Sequence, residues 1–80
     1  QEFIKKYPYS KFYDEVLWRL SELEFERGEI KKSRKGYLQL SKKVNSKFEF
    51  KALYKLGATL YESGFYDWSS KMFLRLYERL

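Results

Sequence analysis

A period of 36 residues runs through this chain and constrains its fold more than any other feature. When residues 10–44 are aligned with residues 46–80, 11 of the 35 pairs are identical, whereas composition alone would give roughly three. The identical pairs are Ser10/Ser46, Lys11/Lys47, Phe12/Phe48, Leu17/Leu53, Leu20/Leu56, Glu26/Glu62, Gly28/Gly64, Ser33/Ser69, Lys35/Lys71, Leu38/Leu74 and Leu40/Leu76. A period of roughly 20 to 50 residues is typical of solenoids, in which similar units stack side by side. Such arrays usually bind other molecules and rarely catalyse reactions.

The spacing of apolar residues predicts two helices in each copy of the pattern. They run over about residues 11–27, 30–43, 47–63 and 66–80. Gly28 and Gly64 end the first helix of each pair, because glycine adopts the left-handed conformation of a helix end without strain. We expect Ser10 to cap the first helix, and Ser46 to form a capping box with Glu49 on the third. The short connections require the two helices of each pair to pack antiparallel.

Three small residues indicate where helix backbones approach each other. Ser33 and Ser69 occupy equivalent places in the apolar stripes of the second helix of each copy. Gly36 lies inside the predicted helix over residues 30–43, where glycine costs about 1 kcal/mol relative to alanine. Either a close contact with another helix or an exposed face that tolerates glycine would account for Gly36.

The boundaries of the repeats follow from Pro8, which disfavours helix at the residue before it. Residues 1–7 are interpreted as the end of a helix from an upstream repeat, residues 8–44 as a first repeat and residues 45–80 as a second. Two repeats are fewer than the three or so that such arrays usually need. The last helix has no polar outer face to cover Met72, Phe73, Leu76 and Leu80. We therefore expect flanking segments or self-association through the uncapped ends to complete the fold.

The second copy resembles the tetratricopeptide repeat, in the sequence Leu53-x-x-Leu56-Gly57 followed by Leu60, Gly64, Ser69 and Phe73. The same places in the first copy hold Leu17, Leu20, Ser21, Glu24, Gly28, Ser33 and Tyr37. The departures are Glu24 at a normally apolar place, serine for the small alanine, a closing proline only at Pro8, and a period longer than the family's, which is about 34. The resemblance implies an all-α fold of antiparallel helical hairpins stacked as a right-handed α-solenoid.

Residues 6–10 and 17–28 are similar in style to repeats of bacterial envelope proteins. Outer-membrane assembly lipoproteins and the periplasmic coordinator of the Tol–Pal system have such repeats. This similarity implies a periplasmic or envelope-associated location and a role within a larger bacterial assembly.

By the same resemblance, the first helix of each repeat would line a concave groove that holds a peptide or a partner helix. The groove residues would be Glu15, Trp18, Glu22, Phe25 and Glu26 from the first repeat, and Lys51, Tyr54, Ala58, Tyr61 and Glu62 from the second. Helical spacing independently places the first four of these on a common face. Aromatic anchors beside carboxylates suit a partner with apolar and basic residues. The alternative is that the aromatic residues only pack between neighbouring helices.

The chain carries a net charge of +6, and its basic residues are unevenly spread. A basic face is predicted from Lys31, Lys32, Arg34, Lys35, Lys42 and Lys43. Such a face permits contact with nucleic acid or an anionic membrane surface. A solvated convex face is the interpretation we favour, because no recognised nucleic-acid-binding motif accompanies the lysines. The chain also lacks an uncharged stretch long enough for a transmembrane segment.

Catalysis has little support in the sequence, which contains neither histidine nor cysteine. Without these residues, the usual nucleophilic sites, zinc sites and neutral-pH general bases have no candidates. We expect no cofactor, no metal site and no enzymatic activity. The sequence therefore predicts a protein-protein interaction module that binds a protein or peptide partner. A structural spacer, or a self-association segment of a longer solenoid, is the alternative.

Overall fold

Four α-helices make up most of the chain in the computed structural model, which describes residues 11–80. They are α1 (Lys11–Glu26), α2 (Ile30–Ser41), α3 (Glu49–Glu62) and α4 (Tyr66–Arg79). The described residues contain no strand, so the prediction of an all-α fold is confirmed. The predicted helix end over residues 1–7, the role of Pro8 and the Ser10 cap lie outside the described residues.

The two predicted glycine stops are confirmed, and both have the same hydrogen-bond pattern. Gly28 and Gly64 have φ angles of 81° and 87°, in the left-handed region that favours glycine. The amide of Gly28 donates to the carbonyl of Phe25, and the amide that follows donates to the carbonyl of Glu24, at 3.0 and 2.8 Å. The same pair of bonds recurs after α3. This is the Schellman arrangement, which satisfies carbonyls that the helix end leaves open.

The connection between α2 and α3 differs from the prediction. The third helix begins at Glu49, and the predicted capping box is wrong. The Glu49 carboxylate accepts from the backbone amide of Asn45 at 2.9 Å, and the Ser46 hydroxyl accepts from the amide of Phe48 at 3.1 Å. A turn over residues 46–48 separates Ser46 from the helix, and Asn45 adopts a φ of 70°. The same serine and glutamate therefore bind backbone amides, but not each other's.

Consecutive helices pack antiparallel, in the order α1 on α2, α2 on α3 and α3 on α4. The buried apolar core consists of Leu17, Tyr37, Leu40, Phe48, Ala52, Leu53 and Leu56. Within residues 11–80, no Cα atom of α1 comes within 8 Å of α3, and none of α2 within 8 Å of α4. The first helices of the two hairpins are therefore not in close backbone contact, and neither are the second helices.

Gly36 is buried at the closest approach of α1 and α2. A Cβ atom added to it would lie 1.8 Å from the Ser21 hydroxyl oxygen and 3.1 Å from the Ser21 Cβ. Of the two explanations that the sequence leaves open, close helix contact is therefore the one the structure supports. Ser33 and Ser69 are buried as well, and the Ser69 hydroxyl donates to the Gly57 carbonyl across the second hairpin at 2.8 Å.

Apolar side chains of α4 remain uncovered on its outer side. Leu74, Tyr77 and Leu80 are all more than half exposed, whereas Ser69 is buried against α3. The buried stripe of α4 is consequently narrower than helical spacing predicts. No described helix has the length and apolar character that a membrane span requires.

Candidate functional site

A cleft of about 530 Å³ lies beside α1 and the start of α3. It is lined by Glu15, Trp18, Arg19, Glu22, Leu23, Glu26, Lys47, Phe48 and Lys51. Five predicted groove residues therefore meet in one cleft. The other lining residues, such as Phe48, were missed, although the repeat itself marks Phe48 as the counterpart of Phe12.

Trp18 forms part of the wall of this cleft and also packs against the core. Its ring is nearly parallel to that of Phe48 with centroids 5.5 Å apart, and tilted against that of Tyr37 at 5.6 Å. Phe48 and Tyr37 are buried, whereas Trp18 is half-buried. The indole is therefore held in a fixed orientation with one part of its surface open to the cleft.

Glu22 belongs to a network that joins α1 to both α2 and α3. Its carboxylate accepts a hydrogen bond from the Tyr37 hydroxyl, and the Lys55 ammonium lies 3.6 Å from the same oxygen. Lys55 also lies 4.2 Å from the centre of the Phe25 ring. Burial of the Tyr37 phenol, followed by its hydrogen bond to Glu22, raises the pKa of Tyr37 well above its usual range. Glu22 and Phe25 are thus already occupied in holding the helices together.

The remaining charges of the cleft fall into two groups. Glu15 forms exposed ion pairs with Arg19 at 3.6 Å and Lys47 at 3.9 Å, which contribute little to stability. Glu26 and Lys51 are exposed and have no ion-pair partner within residues 11–80. One acidic and one basic group are therefore available to a ligand at the rim.

The predicted groove residues on the rest of α3 do not line the cleft, and two of them contact α4 instead. Tyr54 and Tyr61 are 57% and 61% exposed. The centre of the Tyr54 ring lies 6.0 Å from that of Phe73, and the centre of the Tyr61 ring lies 5.1 Å from that of Tyr66. Ala58 is half-buried, and Glu62 is exposed. The two tyrosines thus form a separate aromatic surface on the α3 and α4 hairpin.

The predicted basic face divides into neutralised and free cations. Lys43 pairs with Asp14, and Lys32 pairs with Glu29 at 3.5 Å. Arg34 donates to the Ser63 hydroxyl at 3.2 Å and lies over the Phe65 ring. Lys31, Lys35 and Lys42 are exposed and have no acidic partner in the described part of the chain.

The comparisons with known proteins gave no lead to the site. No protein-family model, no curated protein and no solved structure matches this chain. Among residues 11–80, acidic side chains do not gather in the groups of three or more that could hold a metal ion. The α1 and α3 cleft is thus characterised by its aromatic wall and its rim of both charges.

Proposed function

We propose that this chain is a non-enzymatic protein-interaction module of the tetratricopeptide type, whose hairpins stack as a right-handed α-solenoid. It binds a peptide or a partner helix in the cleft beside α1 and α3, within a larger assembly of the bacterial envelope. The observation that carries the proposal is the cleft itself, whose lining combines the oriented indole of Trp18 with Glu26 and Lys51, neither of which has an ion-pair partner among the described residues.

The side chains of the cleft need to change little when a ligand binds. Trp18 is already held by Phe48 and Tyr37, so binding costs little side-chain entropy at the aromatic anchor. The free carboxylate of Glu26 and the free ammonium of Lys51 fix the orientation of a bound segment through complementary charges. A ligand with one large apolar residue and flanking charges of both signs fits this arrangement.

Site-specific photo-crosslinking tests the proposal in the intact protein expressed in cells. A photoreactive phenylalanine analogue replaces the half-exposed Leu23 in the lining of the cleft or, as a matched control, the exposed Lys42 outside it. We expect a discrete protein adduct from position 23, no adduct from position 42, and loss of the adduct when Glu26→Lys is added. Absence of a discrete adduct at position 23 in a folded protein would reject the cleft as a binding site.

Self-association is a second candidate function, favoured by the uncovered outer side of α4. Leu74, Tyr77 and Leu80 are more than half exposed there, and a face of this kind usually meets another protein surface. Sedimentation velocity over a range of concentrations tests this. We expect an oligomer that Leu74→Glu with Tyr77→Glu converts into a monomer, whereas a wild-type chain that stays monomeric at high concentration would exclude self-association.

A further inference from the structure

A second groove lies on the opposite side of α3 from the α1 cleft. It has an apolar floor and two sides, here called banks: one bank, on α2, is cationic, and the other, on α4 and Phe65, is apolar. Its volume is about 490 Å³, and its lining residues are Lys31, Arg34, Lys35, Leu38, Leu56, Leu60, Phe65, Trp68 and Met72. The helices α2 and α4 both pack on α3, but no Cα atom of α2 lies within 8 Å of a Cα atom of α4. The space left between them is the groove, and Leu56 and Leu60 of α3 form its floor. We define this set as the α2/α4 groove.

All the cations of the α2/α4 groove lie on α2 and lack an acidic partner among the residues that the structure describes. Lys31 and Lys35 form no ion pair within residues 11–80, although Lys32 and Lys43 nearby are both paired. Arg34 is anchored by Ser63 and Phe65, and its buried Nε donor has no acceptor among the described residues. The bank therefore presents three positive charges that no carboxylate of the described chain neutralises.

The opposite bank is aromatic and aliphatic. Trp68 and Phe65 are at least half exposed along it, and Met72 is half-buried beside them. From Lys31 to Leu38 the groove extends along eight residues of α2, and the seven steps between them span roughly 10 Å or two helical turns. This length suits an incoming helix with apolar residues at three and four residue steps.

We propose that the α2/α4 groove binds an acidic amphipathic helix of a partner protein. Apolar side chains of that helix contact Leu60, Trp68 and Met72, and its acidic side chains face Lys31 and Lys35. Charge complementarity selects this occupant, because the cations line one bank only and have no partner within the described chain. Neither nucleic acid nor a bilayer fits as well: the groove is floored by hydrocarbon, and a flat membrane surface cannot reach the buried Leu56 beneath the banks.

Peptide titration tests the proposal with the whole chain. The probe is a synthetic helical peptide of about 18 residues with leucines on one face and glutamates beside them. The comparison peptide carries lysine in place of every glutamate. We expect binding of the acidic peptide only, with affinity that falls as salt rises, and NMR shift changes confined to α2, Leu60, Trp68 and Met72.

Matched charge variants separate the groove from the net charge of the chain. Lys31→Glu with Lys35→Glu should weaken binding by at least about tenfold, whereas Arg27→Glu with Lys42→Glu, at two exposed positions outside both grooves, changes the net charge equally and should leave binding within about twofold. Trp68→Ala, at an exposed site, should weaken binding by about tenfold without loss of helicity.

Three results would overturn the proposal. They are equal weakening by both double variants, equal binding of the lysine peptide, and no binding of the acidic peptide to the folded wild-type chain at millimolar concentration. Anionic phospholipid vesicles provide a further test, since vesicle binding with the same dependence on Lys31 and Lys35 would assign the groove to lipid instead.

Discussion

Arg79 at the end of α4 binds Glu49 at the start of α3 through two hydrogen bonds. Its Nε lies 2.7 Å from Oε2 and its Nη2 lies 3.1 Å from Oε1. The offset of 36 residues places Lys43 and Tyr13 at the same positions of the first hairpin, where the Lys43 ammonium lies 4.5 Å from the centre of the Tyr13 ring. In both hairpins, equivalent positions are therefore in contact at the end opposite the glycine turn. Only the contact in the second hairpin is a bidentate ion pair.

The ion pair between Glu49 and Arg79 makes the stability of the fold depend on pH in the acidic range. The hydrogen bonds from Arg79, and then that from the Asn45 amide, lower the pKa of Glu49 below the ordinary value of 4.5. A depressed carboxyl pKa in the folded state stabilises the fold above the unfolded value, and this contribution is lost as the pH falls through the folded value. We expect the urea midpoint to decrease below about pH 4.5, and less so in Glu49→Gln.

Substitutions at neutral pH compare how much this ion pair and an exposed ion pair contribute to stability. Arg79→Ala should lower the urea midpoint clearly, because it leaves a nearly inaccessible carboxylate without its cation. Lys32→Ala, which removes the exposed pair with Glu29, should change the free energy of unfolding by less than about 0.5 kcal/mol. Equal effects of the two substitutions would contradict the structural role of Arg79.

Because Gly36 contacts Ser21, we expect any side chain larger than hydrogen at position 36 to destabilise the fold. Gly36→Ala adds a Cβ at a distance that the Ser21 side chain does not allow, and such overpacking costs about 1–3 kcal/mol. The gain in helix propensity, about 1 kcal/mol, offsets only part of this cost. We expect a net loss in the free energy of unfolding of about 1 kcal/mol, measured by urea titration.

The double variant checks that the loss arises at this contact. Ser21→Gly places at position 21 the residue that the repeat has at position 57. In that background, Gly36→Ala should be nearly neutral, because the obstructing side chain is gone. The same penalty in both backgrounds would assign it to some other contact.

The repeat predicted the helices and both glycine stops well, because these depend on local spacing and backbone conformation. Gly28 and Gly64 adopt the conformation that their position after a periodic segment requires. Glu49 was predicted less well. Its place after Ser46 is that of a capping box, but its carboxylate binds Arg79, which is 30 residues away.

The α1 and α3 cleft was predicted mainly from the residues of one helix, to which the family resemblance added Lys51 of α3. Trp18, Glu22 and Glu26 share a face of α1, so their spacing placed them together. The α2/α4 groove combines Lys31, Leu60 and Trp68 from three helices. No spacing within one helix relates them, and their juxtaposition depends on how the hairpins pack.

The raised pKa of Tyr37 leads us to expect that the fold loses stability at alkaline pH. Burial and the hydrogen bond to Glu22 raise the pKa of its phenol above the ordinary value of 10.0. The fold is then stabilised fully below the unfolded value and loses stability as the pH rises past it, because only the unfolded chain releases the proton there. Tyr37→Phe should cost about 1–2 kcal/mol at pH 7 and should reduce the decline above about pH 10. A parallel decline in both proteins, by urea titration at several pH values, would contradict this.

Trp18 and Tyr61 should differ in what they do for the fold, although the repeat gives both a groove position. Trp18 stacks on the buried Phe48, so Trp18→Ala should lower the free energy of unfolding by about 2 kcal/mol. Tyr61 is 61% exposed, and Tyr61→Ala should change it by less than about 0.5 kcal/mol. Urea titration of both variants, with circular dichroism to check helix content, measures the difference. If Tyr61→Ala proved as costly as Trp18→Ala, the exposed tyrosine would be a packing residue, and it could not serve as a free contact for a partner.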